Sequence, residues 1–210
     1  MGRTDNRILS ELKEHLPFTI LSAGIAIVAV GFLTIIIGEY ELPYTGENLF
    51  HIFHPLHVLA SAATTTSMFW KYKRNILHAA ATGLIGALVI CSLSDIMFPF
   101  LGGFFLGIEM DMHICILKHP MIIVPFLLVG VLTGFLSPGL IEHSTIYSHS
   151  AHILLSTMAS LVYLISFGMT GWLGHIGWVF MILVLVVLIP CCLSDIVFPL
   201  FFTGQNKHSH

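Results

Sequence analysis

A set of residues with ligand chemistry occurs twice in the chain. Glu47, His54, His57 and Ser61 return, at a constant offset, as Glu142, His149, His152 and Ser156. Each copy has a downstream companion: the run CSLSDIMFPF from Cys91 to Phe100 returns as CCLSDIVFPL from Cys191 to Leu200. Imidazoles with carboxylates and a neighbouring thiol are donors for a first-row divalent transition metal such as zinc, iron or manganese. Calcium and magnesium ask for more oxygen. Copper(I) would call for methionines beside these positions, and the methionines are scattered. The expected metal ligands are therefore Glu47, His54, His57 and Asp95 in the first copy and Glu142, His149, His152 and Asp195 in the second.

Spacing supports the grouping. Residues three or four apart share a helix face, so His54, His57 and Ser61 look the same way, as do Cys91 and Asp95. Pro55 suits a first helical turn, which predicts a regular helix beginning near His54. A rise of 1.5 Å per residue takes the chain down about 20 Å from His57 to the turn near Trp70 and up about 27 Å from Leu77 to Asp95. The second copy matches too, with about 30 Å from His152 to Trp172 and from His175 to Asp195. Asp95 and Asp195 fall in the last turn before a proline, where the helix dipole disfavours a bare carboxylate, so each calls for a cation or a proton. An HxxH pair alone is weak evidence, and its bland reading is a hydrogen-bonded polar cluster that ties helices together. Duplication with matched heights favours ligands.

These residues are carried by an apolar chain. Of 210 residues 56% are hydrophobic and only 9% charged, which points to a membrane protein. A bilayer core of about 30 Å takes about 20 helical residues, and candidate spans run over 17–38, 49–70, 76–98, 120–137, 150–171 and 176–200. The expected fold is all-α and polytopic, with six transmembrane helices forming two three-helix repeats, 17–101 and 119–203. An odd number of crossings per repeat inverts the second copy relative to the first. Residues 1–16 read as an amphipathic lead on the cytoplasmic surface, 102–118 as a connecting loop, and 204–210 as a polar tail.

Lys71, Lys73 and Arg74 beside Trp70 and Tyr72 place their loop, and with it both termini, in the cytoplasm of a plasma or inner membrane. The glycine-rich turn with Trp172 and Trp178 is expected at the outer interface. Cys91, Cys115, Cys191 and Cys192 are expected as free thiols. Glu109, Asp111 and His113 read as a solvated acidic loop. His51 and His143 flank the motif without matching each other, while His78, His119 and His175 fall near span ends, where an amphipathic ring is at home. No basic cluster suits nucleic acid, and signatures of hydrolases and nucleotide-binding loops are absent. The implied partners are membrane lipids and the metal ion, with a homodimer left open.

Two functions fit. The first is a divalent transition-metal transporter that exposes its two sites alternately, the first nearer the outside and the second nearer the cytoplasm. The second is a membrane-embedded metalloenzyme in which the metal activates water, or does redox chemistry, on a lipid-like or small apolar substrate, with an acid such as Glu47 as base.

Overall fold

In the computed structural model, which describes residues 2–136 and 145–192, the chain is built from helices, with no strand among the described residues. Helix α1 (Gly2–Ile37) continues through Pro17, so the expected surface lead and first span are one helix. α2 (Leu42–Tyr72) also starts earlier than expected. Pro43, not Pro55, occupies its first turn, and Pro55 lies in its interior. The N1 preference for proline applies to Pro43, which places His54 and His57 near the middle of a long helix rather than at its start.

The chain turns at 73–75, where the Asn75 side chain accepts the His78 N–H and caps α3 (Ile76–Ser92). The helical path then widens into a π segment (Leu93–Met97) before α4 (Phe98–Phe105). The expected stop at Pro99 does not occur. A proline ring clashes with the carbonyl four residues back, here that of Asp95, and the wider π turn relieves the clash without ending the helix. There follow α5 (Cys115–Lys118), α6 (Pro120–Leu136), α7 (Thr145–Ser166), a 3₁₀ turn (Trp172–His175) and α8 (Ile176–Cys192).

Close contacts fix the directions. α2 and α3 form an antiparallel hairpin in which Gly83 lies against Thr66. α6 runs parallel to α2, since Gly130 meets Leu59 and Gly134 meets Ala63, while Phe135 stacks edge-on with Trp70 at the end of both helices. α7 runs antiparallel to α2: Gly46 faces Ser166, Phe50 faces Tyr163, and His57 faces His152. α1 packs on α7 and α8, and its Thr34 meets the Trp172 indole at 3.3 Å. Trp172 is buried among these helices, whereas Trp178 is exposed.

Three helices are long and apolar enough to cross a membrane: His15–Ile37, Ile76–Phe105 and Trp172–Pro190. α6 and the stretch Ser150–Ser166 are shorter apolar helices. At 1.5 Å per residue the 17 residues of α6 reach about 25 Å. α2 is long but carries its histidines, serines and threonines inward, where His54, His57, Ser61, Thr65, Thr66 and Ser67 are all buried. Large apolar side chains such as Val28, Phe32 and Ile35 of α1 and Met181, Leu185 and Ile189 of α8 cover the outside. The least apolar long helix is thus the one wrapped by its neighbours, which is the arrangement a hydrocarbon surround demands.

Candidate metal centre

Asp95 is the hub of the interior. Its carboxylate is fully buried, and both oxygens are used. Oδ2 lies 2.9 Å from His54 Nδ1 and 2.7 Å from His57 Nδ1. Oδ1 accepts the hydroxyls of Ser94 at 2.7 Å and Ser156 at 2.9 Å. Ser160 donates to the Ser94 carbonyl at 3.1 Å, so α7 grips the π segment at two points. The π turn has a local purpose here: it sets Asp95 where α2 and α7 both reach it.

This geometry fixes tautomers. An ionised carboxylate only accepts, so both Nδ1 atoms must carry hydrogen. For neutral rings the Nε2 atoms of His54 and His57 are then lone pairs, the atom and form that bind a metal. His57 Nε2 lies 3.0 Å from His152 Nε2. Two lone pairs cannot face each other at that distance, so either His152 donates its Nε2–H or a cation lies between the rings. Cys91 Sγ is 3.8 Å from the same His57 nitrogen. Around a tetrahedral zinc ion, two imidazole nitrogens would be about 3.3 Å apart and a nitrogen and a thiolate sulfur about 3.6 Å. The observed spacings come close to both.

A second group lies one turn along α2. His51, His113 and His119 bring one ring nitrogen each to within 4.8 Å of one another and could hold a metal ion. His51 Nε2 and His113 Nε2 are 3.2 Å apart. His113 comes from the segment between α4 and α5, which folds back on the bundle: Asp111 N–H donates to the Phe167 carbonyl at 2.7 Å, and the Tyr163 hydroxyl links the Asp111 carbonyl to the His113 N–H. The His113 ring stacks on Phe167 at 4.5 Å. Burial pushes its pKa down to about 4, helped by Lys118, His51, His119 and His54, so at neutral pH it is an uncharged ligand. Phe50 stacks on His54 at 5.1 Å and meets His113 edge-on, which places an aromatic layer between the two groups.

Of the residues expected from sequence, His54, His57, Asp95 and His152 come together. Asp95 faces the Nδ1 atoms, the position of a carboxylate that orients ligands. Glu47 stands one turn beyond His51, and its charge bears on that ring. Glu142, the His149 side chain and Asp195 lie outside the described residues. The two copies are not held apart along the bundle, because His57 and His152 touch. Glu109 and Asp111 are exposed as expected, but His113 between them and α5 is buried. Sequence reasoning passed over the trio of His51, His113 and His119. One signal was present: His51, His54 and His57 recur every three residues and form a stripe down one face of α2. Cys91 and Cys115 are free thiols. No known family, curated protein or solved structure matches the chain.

Proposed function

We propose that this is an integral membrane carrier for a divalent first-row transition metal, with a single transport centre shared by two inverted three-helix repeats. The observation that carries this reading is the contact between His57 and His152. They are equivalent positions of the repeated motif, on antiparallel helices, and their Nε2 atoms lie 3.0 Å apart. Carriers with inverted repeats bind cargo near the bilayer midplane where the repeats meet. His57 lies midway along α2, which spans Leu42–Tyr72.

The cargo ion would be held by Nε2 of His57 and His152, with the Cys91 thiol nearby as a sulfur donor. Asp95 orients His57 through Nδ1 and balances the incoming charge. An ion between the rings would take the Nε2 lone pair of His152 as its Nδ1–H tautomer, a shift within the ring that releases no proton, while Cys91 would bind as thiolate and give up its proton on loading. His54, His57, Asp95 and His152 are each at most 3% exposed. Such burial suits an occluded carrier and gives a bulky apolar substrate no approach, which places the enzyme reading second. On this reading the 73–75 turn and both termini face the cytoplasm of a plasma or inner membrane.

The test is metal flux in proteoliposomes loaded with a zinc-sensitive or cobalt-sensitive dye. Flux is expected from the unaltered chain and absent from His57→Gln and His152→Gln proteins that still fold. Tight metal that never exchanges, with no flux, would sink the proposal.

A further inference from the structure

The three-histidine group joins three separate stretches of chain. His51 belongs to α2, His113 to the segment between α4 and α5, and His119 to the junction of α5 and α6. The returning segment is fastened by the Asp111 and Tyr163 hydrogen bonds and by Met110, which packs against Gly103 and Gly168. Its His113 meets Phe50 and His51 of α2, and His51 is one turn, about 4.5 Å, from His54 along that helix.

The chemistry of the group differs from that of the buried hub. It has three imidazoles and no carboxylate or thiol in the cluster. Three neutral imidazoles with a fourth position left to water or cargo suit zinc, and also cobalt(II) or nickel(II), while disfavouring magnesium and calcium. His51 and His119 are only half-buried, whereas His113 is buried, so an ion could reach two of the ligands from outside and close on the third.

We infer that His51, His113 and His119 form a second, exchangeable site for a zinc-like divalent ion, whose occupancy clips the segment 106–119 onto α2 above His54. In the empty state that segment is held by its hydrogen bonds and by the packing of Leu106, Ile108, Met110 and Cys115 on the core. Occupied, it is cross-linked to α2 through one ion. The site then acts as a metal-dependent cover on the outer approach to the centre. It needs only these three side chains and stands whether or not the deeper centre transports.

The test is hydrogen exchange on the full-length purified chain, with and without zinc, read at the amides of 108–118. An ion that binds only the closed segment slows opening by the factor one plus free ion over Kd, about 100-fold at a hundred times Kd. The expected result is slowing of that size in the unaltered chain, its loss in His119→Gln and in His51→Gln, and its retention in His152→Gln. His119 is half-buried, so that variant spares the packing. In a His152→Gln background, which disables the deeper centre, cobalt(II) should give a visible spectrum without sulfur charge transfer that is lost when His119→Gln or His51→Gln is added. The inference is overturned if zinc leaves these amides unchanged, if His119→Gln responds like the unaltered chain, or if His152→Gln abolishes the response. Absent flux with an intact zinc response would count against the carrier and leave this site in place.

Discussion

His57 and His152 hold the same place in two copies of one motif, and they meet with Nε2 atoms 3.0 Å apart and rings nearly perpendicular, at 85°. The two helices that carry them, α2 and α7, run antiparallel through this contact. An arrangement that might have produced two separate sites instead produces one contact.

Binding should therefore be shared. Removing either ring is expected to weaken zinc or cobalt binding at the centre by more than about 100-fold, since even residues that only orient a ligand cost 10- to 100-fold. The double variant His57→Gln with His152→Gln should be no weaker than the worse single one, because both serve one ion. Calorimetric titration in a His119→Gln background, which silences the outer group, reads this directly. A single variant that halves the stoichiometry and leaves the remaining ion at full affinity would mean two independent sites.

Asp95 supports the interior through four hydrogen bonds to its two oxygens. In Asp95→Asn the charge is lost and an amide NH₂ faces donors. Removing one partner of a buried, hydrogen-bonded charged group costs about 3–5 kcal/mol. Thermal or denaturant unfolding in detergent should show a loss of that order, and a change under about 1 kcal/mol would mean that the native carboxyl is already protonated.

Much of this interior could be read from the sequence, for identifiable reasons. The pairing of His54 and His57 with Asp95 follows from helix rise, because α2 is helical down to the 73–75 turn and α3 is regular as far as Ser92, three residues short of Asp95. The start of α2 was misjudged because Pro43 and Pro55 both suit a first turn, and only packing shows that the helix continues through Pro55. The contact of His57 with His152 required the direction and depth of α7, which no local pattern encodes. His113 looked solvated because Asp111 and Glu109 beside it are; its burial comes from a fold-back held by Phe167 and Tyr163, on a helix about fifty residues away. The repeat made the Asp95 site legible, and the trio with His51 has no repeat to reveal it.

His113 gives a dependence on pH with a definite sign. Its folded pKa, near 4, lies below its ordinary value of 6.5, because burial penalises the charged ring and Lys118, His51, His119 and His54 add to that effect. The undocked segment thus binds more protons than the docked one between these values, and docking is most stable above about 6.5 and weakens as pH falls toward 4. Exchange protection at 108–118, corrected for intrinsic rates and measured without metal, should fall across that window. His113→Gln should flatten the profile. Protection that is equal at pH 7 and pH 5 in the unaltered chain would contradict the burial of a neutral ring.

The packing of α6 on α2 rests on two glycines. A Cβ at Gly130 would stand 2.5 Å from the Leu59 carbonyl oxygen and 2.8 Å from the Ala62 Cβ, and one at Gly134 would stand 2.6 Å from the Ala63 carbonyl. Backbone cannot rotate aside as a flexible side chain can, so the helices must separate. Gly130→Ala is expected to destabilise by about 1–3 kcal/mol, the usual cost of overpacking. Gly24 of α1 provides the contrast, since nothing lies within 4 Å of the place its Cβ would take. There alanine should be neutral or stabilise by up to about 1 kcal/mol through helix propensity. Unfolding midpoints of the two variants in the same detergent decide it. If Gly130→Ala matched Gly24→Ala, α6 would not lie on α2 as closely as these contacts place it, and the parallel run of the two helices would lose its main support.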